Sequence, residues 1–210
     1  MTYSLMDLMA LAGPMAWPLL VCSVLTVAMI LDRWVAMGRA QIQTRRFLDD
    51  VSAAVKRHKV GEALALCERT PGPIAQMVRA GLTHHGRSRE EIHHAIEEAS
   101  RREIPPLERH LASLSTLAQV APLLGLLGTT LGLIRCFQII QTKTVALQPI
   151  GPMDLAQGIW QALLTTVAGL TIAIPAIVAH NDFVRRLQRL TWEMEIAAMD
   201  VLRLLAGEES

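Results

Sequence analysis

Of the polar side chains inside long uncharged apolar stretches, four share faces rich in small residues: Thr129, Gln161, Thr165 and Thr166. A hydroxyl or carboxamide there can hydrogen-bond water or another helix, but none of the four exchanges a proton near neutral pH. The other chemistry-bearing residues form no reaction centre. His84-His85 and His93-His94 invite a metal, yet there is no HExxH pattern and no cysteine at ligand spacing. The bland reading, a solvated or locally hydrogen-bonded face, is preferred for these histidines. Cys22, Cys67 and Cys136 lie far apart without a CxxC pair, which argues against a disulfide scaffold and most zinc frameworks. No nucleophile–base set is visible, so no catalytic residue, metal or cofactor is expected. A net charge of +1 supplies no basic field for nucleic acid.

The elements that carry these residues are long and apolar. Leu8–Leu31, Leu114–Ile134 and Ile159–Ala179 contain no charged residue. About 20 residues of helix cross a hydrocarbon core of about 30 Å, so all three qualify as transmembrane helices. The first has no basic residue before it and reads as a retained anchor rather than a signal peptide. Charge orients the set. Residues 32–112 hold 14 Lys and Arg, and the tail adds Arg185, Arg186, Arg189 and Arg203. The first 13 residues hold none, and 141–158 hold only Lys143. The positive-inside rule places the basic segments in the cytoplasm. The expectation is an all-α integral membrane protein with three transmembrane helices and long cytoplasmic helical extensions. Its parts are an outward-facing amino terminus 1–13, a first span 14–31, a cytoplasmic helical insertion 32–112, a second span 113–136, an outward-facing loop 137–157, a third span 158–180 and a cytoplasmic helical tail 181–210. Trp17, Trp34 and Trp160 could mark membrane interfaces.

Local signals subdivide the cytoplasmic parts. Pro71-Gly72-Pro73 breaks the insertion. Ser88 and Glu91 form a capping box, and the helix it starts is expected to run through Pro105-Pro106, kinked, into the second span. Glu97–Arg101 and Glu98–Arg102 are candidate i,i+4 pairs. In the tail, Phe183, Leu187, Leu190, Met194, Ala197, Val201 and Leu204 form a heptad seam that should pack against other helices, from the same chain or a neighbouring subunit.

Winding the spans at about 100° per residue separates two kinds of face. Gly158, Gln161, Ala162, Thr165, Thr166, Gly169, Ala173 and Ala176 share one side of the third span. Ala118, Ala121, Pro122, Gly125, Gly128, Thr129, Gly132 and Cys136 share one side of the second. The first span is bulky nearly all round. Lipid tails are as apolar as leucine, so small faces mark either close helix approach or a lined cavity. For any single threonine, bonding back to its own helix is as good an account. No Asp, Glu, His or Lys lies in the middle of the second or third span, and Arg135 sits near the outer end, where it can snorkel. A proton path here would need a carboxylate from a partner.

Ala121-Pro122-Leu123-Leu124-Gly125-Leu126-Leu127-Gly128-Thr129-Thr130-Leu131-Gly132 resembles the second-span motif of the MotA/TolQ/ExbB proton-channel family. Gly158-Ile159-Trp160-Gln161-Ala162-Leu163-Leu164-Thr165-Thr166-Val167-Ala168-Gly169-Leu170, with Ala173-Ile174-Pro175-Ala176 and Asn181, resembles the third. Three spans and a cytoplasmic insertion are similar to the ExbB and TolQ branch, with ExbB the better match. The resemblance implies a pentameric ring in a bacterial inner membrane, with both outward segments periplasmic. The ring would surround an ExbD/TolR-like single-span partner whose intramembrane Asp carries the proton. Proton flow would drive movement passed to a TonB- or TolA-like protein, in TonB-dependent transport at the outer membrane or in TolQ-like envelope maintenance. It implies Thr129 and Thr166 as pore threonines, and Thr165 and Gln161 are expected to line the same proton path. Pro122, Gly125, Gly128, Gly132, Gly158 and Gly169 would pack the pore face. One departure stands out: the ExbB and TolQ branch usually carries Glu where this chain has Gln161. That leaves open a scaffold that assembles around a partner without conducting.

Overall fold

The computed structural model describes residues 13–40 and 44–206. Every regular element among them is helical, as the apolar and heptad periodicities require. After a 3₁₀ turn at Gly13–Met15 come α1 (Ala16–Ala40), α2 (Thr44–Lys56), α3 (Val60–Arg69), α4 (Pro73–Thr83), α5 (Arg89–Glu108), α6 (Leu111–Val145) and α7 (Pro152–Ala206). Three helical stretches are long and apolar enough to cross a membrane: Gly13–Val35, Arg89–Val145 and Pro152–Leu205. Residues 1–12, which hold most of the expected amino-terminal segment, lie outside the described residues. The described residues form two compact units, one of 13–31 with 112–181, the other of 32–40 and 44–111 with 182–206.

The second unit is a helical bundle with an aliphatic core. Val51, Val55, Ile74, Met77, Val78 and Leu82 are buried with Ile92 and Ile96. Glycine and proline chemistry sets its corners. Gly72 adopts a φ of 122° ahead of Pro73 at the first position of α4, which separates α3 from α4 where the Pro-Gly-Pro break was expected. Ser88 caps α5 by accepting a hydrogen bond from the Glu91 amide, 3.3 Å. Arg101–Glu97 (2.7 Å) and Arg102–Glu98 (2.5 Å) pair on its exposed face. Leu190, Met194, Ala197, Val201 and Leu205 of α7 complete the core, so this part of the tail seam packs against the chain's own α2–α5. The last buried position is Leu205, with Leu204 only half-buried. A straight helix of 3.6 residues per turn drifts from a strict heptad, and after three repeats the buried position moves on by one residue.

The expected run of α5 through its prolines into the second span is interrupted. Pro105 and Pro106 lie inside α5, which ends at Glu108, and α6 begins at Leu111. The prolines have no N–H for the carbonyls of Arg101 and Arg102, but the break comes later and has another cause. Arg33, 5% exposed, donates through Nη1 to the carbonyls of Pro106 (3.3 Å) and Leu107 (3.0 Å). In an unbroken helix those oxygens would accept the amides of His110 and Leu111. Asp32 holds the guanidinium in place, its Oδ2 accepting from Arg33 Nε (3.2 Å) and Nη2 (3.0 Å), and it also meets His110 Nδ1 at 3.0 Å.

In the first unit, α1 is less uniform than its composition suggests. Ala16, Leu19, Cys22 and Thr26 form a narrow buried stripe at helical spacing, while Trp17, Val21, Val24 and Val27 are exposed. The outer surfaces of α6 and α7 are equally apolar: Leu123, Leu126, Phe137, Leu163, Val167 and Ile174 are all exposed. So much contiguous apolar surface suits a lipid or protein environment rather than water.

Candidate functional site

The site is built on the α6–α7 hairpin. Helix continues to Val145 and resumes at Pro152, so the turn itself spans only 146–151. Asp154 closes it, its Oδ2 accepting from Lys143 Nζ (2.6 Å) and from the Gly151 amide (2.8 Å).

Below the turn the two small faces meet each other. A Cβ on Gly132 would lie 2.8 Å from the Gly158 carbonyl, and one on Gly169 would lie 2.6 Å from the Ala121 carbonyl. A Cβ on Gly125 would stand 3.0 Å from the Thr165 carbonyl. Gly128 makes room for the Thr165 side chain, and Gly158 for the Cys136 sulfur. The register runs antiparallel over about three to four turns of helix, and the glycines allow backbone to touch backbone without hydrophobic drive.

Each polar residue has its place along this seam. Thr165 is fully buried, and its Oγ1 donates back to the carbonyls of Ala162 (2.8 Å) and Gln161 (3.2 Å). Thr166 is half-buried and reaches across the seam to donate to the Gly125 carbonyl, 3.3 Å. Thr129, also half-buried, donates to the Leu126 carbonyl at 2.6 Å. Pro122 is half-buried on the same helix. The structure therefore brings Gly125, Gly128, Gly132, Gly158, Gly169, Gln161, Thr165 and Thr166 together, and leaves Thr129 and Pro122 half-covered.

One partnership was not legible in the sequence. Gln161 is 5% exposed, and its Oε1 accepts a hydrogen bond from Arg135 Nη1 at 3.0 Å. A Cβ on Gly13, whose φ of +67° favours glycine, would collide with the Gln161 carboxamide. The three residues thus form a cluster near the turn end of the hairpin. The signal available beforehand was the shared glycine spacing of the two spans, which implies an antiparallel register and places residue 135 near 161. Among the described residues no carboxylate pairs with Arg135, and no group of three or more His, Cys, Asp or Glu comes together. His84 bonds locally to the Ala80 carbonyl at 2.9 Å.

Comparison with known proteins agrees with this architecture. The model of the MotA/TolQ/ExbB proton channel family matches residues 69–196. An ExbB-like biopolymer transport protein of Synechocystis sp. is 34% identical over 81% of this chain and 80% of its own length. A biopolymer transport protein of the ExbB type from Vibrio cholerae is 32% identical over 83% of this chain and 76% of its own length. The Tol-Pal system protein TolQ of Pseudomonas aeruginosa is 28% identical over 82% of this chain and 78% of its own length. With its three apolar helices and its glycine-lined hairpin, the chain belongs to the MotA/TolQ/ExbB proton channel family.

Proposed function

We propose that the protein is the ring-forming subunit of a bacterial inner-membrane motor in which proton flow moves a second protein. In this reading five copies surround the single-span helices of an ExbD/TolR-like partner. The amino terminus and the 146–151 turn face the periplasm, and the bundle of α2–α5 with the end of α7 faces the cytoplasm. The movement passes to a TonB- or TolA-like protein and energises transport at the outer membrane.

The observation that carries the proposal is a hydroxyl-bearing hairpin without an acid of its own. No Asp, Glu, His or Lys occurs in 114–134 or 159–179, so the titrating carboxylate must come from the partner. Thr129 and Thr166 are assigned to the path because both keep part of their surface uncovered. Thr165 and Gln161 are assigned to the wall behind them, since both are buried in the seam.

The test is proton flux into proteoliposomes holding the chain together with its single-span partner. Losing a hydrogen bond of about 1–1.5 kcal/mol slows passage about tenfold. Thr129→Val with Thr166→Val, which removes two hydroxyls, is therefore expected to cut flux tenfold or more while the partner still co-purifies. Unchanged flux would remove both threonines from the path and favour a scaffold.

A further inference from the structure

The turn end of the α6–α7 hairpin contains a cleft of about 480 Å³ whose lining includes Arg135, Gln138, Thr142, Lys143, Gln157 and Gln161. Its chemistry is one-sided. Lys143 is neutralised by Asp154 at 2.6 Å. Arg135 bonds to the neutral Gln161, and no described carboxylate offsets its charge. The carboxamides of Gln138 and Gln157 add neutral donors to the same walls. A guanidinium at the end of an uncharged stretch of 21 residues snorkels to the level of the lipid head groups, where an anion can meet it. Arginine's planar fork of donors matches the oxygens of a phosphate, which it can hold with two parallel bonds.

We propose that this cleft binds the phosphodiester of a membrane phospholipid, with Arg135 as the anion ligand and the glutamine carboxamides as flanking donors. The lipid source is favoured over free phosphate by what adjoins Arg135. Ile139, one helical turn on from Arg135, lines the same cleft and is half-buried, an apolar surface on which an acyl chain can start. Gln161 then has a use that an acid would not have. It orients the guanidinium through its Oε1 while leaving the positive charge for the lipid, whereas a carboxylate there would satisfy that charge internally. The site is independent of whether the protein conducts protons.

The experiment is native mass spectrometry of the delipidated full chain, titrated with dioleoyl-phosphatidylglycerol and, separately, with dioleoylglycerol, which has the same chains and no phosphate. Saturable binding of the phospholipid alone is expected. Arg135→Gln should weaken it about tenfold or more, and Arg135→Lys less. Equal binding by wild type and Arg135→Gln overturns the proposal, as does equal binding of dioleoylglycerol. Millimolar inorganic phosphate serves as the competing arm: binding by phosphate alone, with no gain from the acyl chains, overturns the lipid assignment. A carboxylate peptide that displaces the phospholipid more strongly than phosphate does would overturn it in favour of a protein partner. Should Arg135→Gln fail to assemble, Gln138→Leu with Gln157→Leu leaves the arginine in place. Retained affinity in that variant also overturns the site.

Discussion

Replacing Arg33 by alanine tests whether a side chain, rather than the two prolines, breaks the helix between α5 and α6. The guanidinium is almost fully buried and makes four hydrogen bonds, two to the Asp32 carboxylate and two to the carbonyls of Pro106 and Leu107. Truncation strands the two carbonyls. Pro106 is exposed and Leu107 half-buried, so water takes up part of the loss and each stranded acceptor costs less than the about 1–3 kcal/mol of a fully buried one, unless the backbone finds another solution. The available solution is for the amides of His110 and Leu111 to take those oxygens and fuse α5 with α6. Hydrogen exchange across residues 104–114 in detergent or nanodiscs reads out both results. Fusion slows exchange at 110 and 111; an unrepaired break speeds exchange there and lowers the melting temperature. Arg33→Lys, with a single ammonium, should fall between, because it cannot serve Asp32 and both carbonyls together. Unchanged exchange at 108–112 together with an unchanged melting temperature would refute the reasoning.

Further outcomes follow from the same structure. Gly169→Leu should abolish the α6–α7 seam and lower the melting temperature, because even a Cβ would lie 2.6 Å from the Ala121 carbonyl. Gly61→Ala meets nothing within 4 Å, so it should leave assembly intact and stability equal or higher by about 0.5–1 kcal/mol; size-exclusion chromatography and thermal melts separate the two. Gln161→Glu should keep assembly and change proton flux or its pH dependence, because a carboxyl group can exchange a proton where a carboxamide cannot. Adding Arg135→Gln removes the hydrogen-bond partner at 3.0 Å and should change the flux further, and indistinguishable flux at every pH for both variants would show that position 161 only packs. Cys67 is buried, and desolvation pushes its thiol up to about 11. It should resist maleimide at pH 7.5 in the folded chain and react on denaturation, with mass spectrometry counting the label; rapid native labelling would place it at the surface.

Much of the architecture was legible because its causes are local. An uncharged length decides whether a helix can span a bilayer. Ser88 reaches Glu91, and Glu97 reaches Arg101, within one turn of helix. The seam from Phe183 to Val201 follows from the period of one helix, and its misplacement at Leu204 is the small error of applying 3.5 residues per turn to a straight helix. The small faces of the second and third spans were equally plain, as was the absence of a mid-span acid.

Where those faces point was a matter of tertiary structure. The same glycine stripe fits a pore wall or a helix seam, and only the approach of Gly132 to Gly158 and of Gly169 to Ala121 shows that the two stripes close on each other. The stripe on α1 was hidden because burial of Ala16, Cys22 and Thr26 depends on neighbours rather than on period. The bond from Arg135 to Gln161 joins residues 26 apart, and that from Arg33 to Leu107 residues 74 apart. Sequence alone determines hydrogen-bonding appetite and hydrophobic period, which act over about four residues. Partners brought together across a turn or from separate helices are chosen by backbone geometry, and that choice belongs to the folded chain.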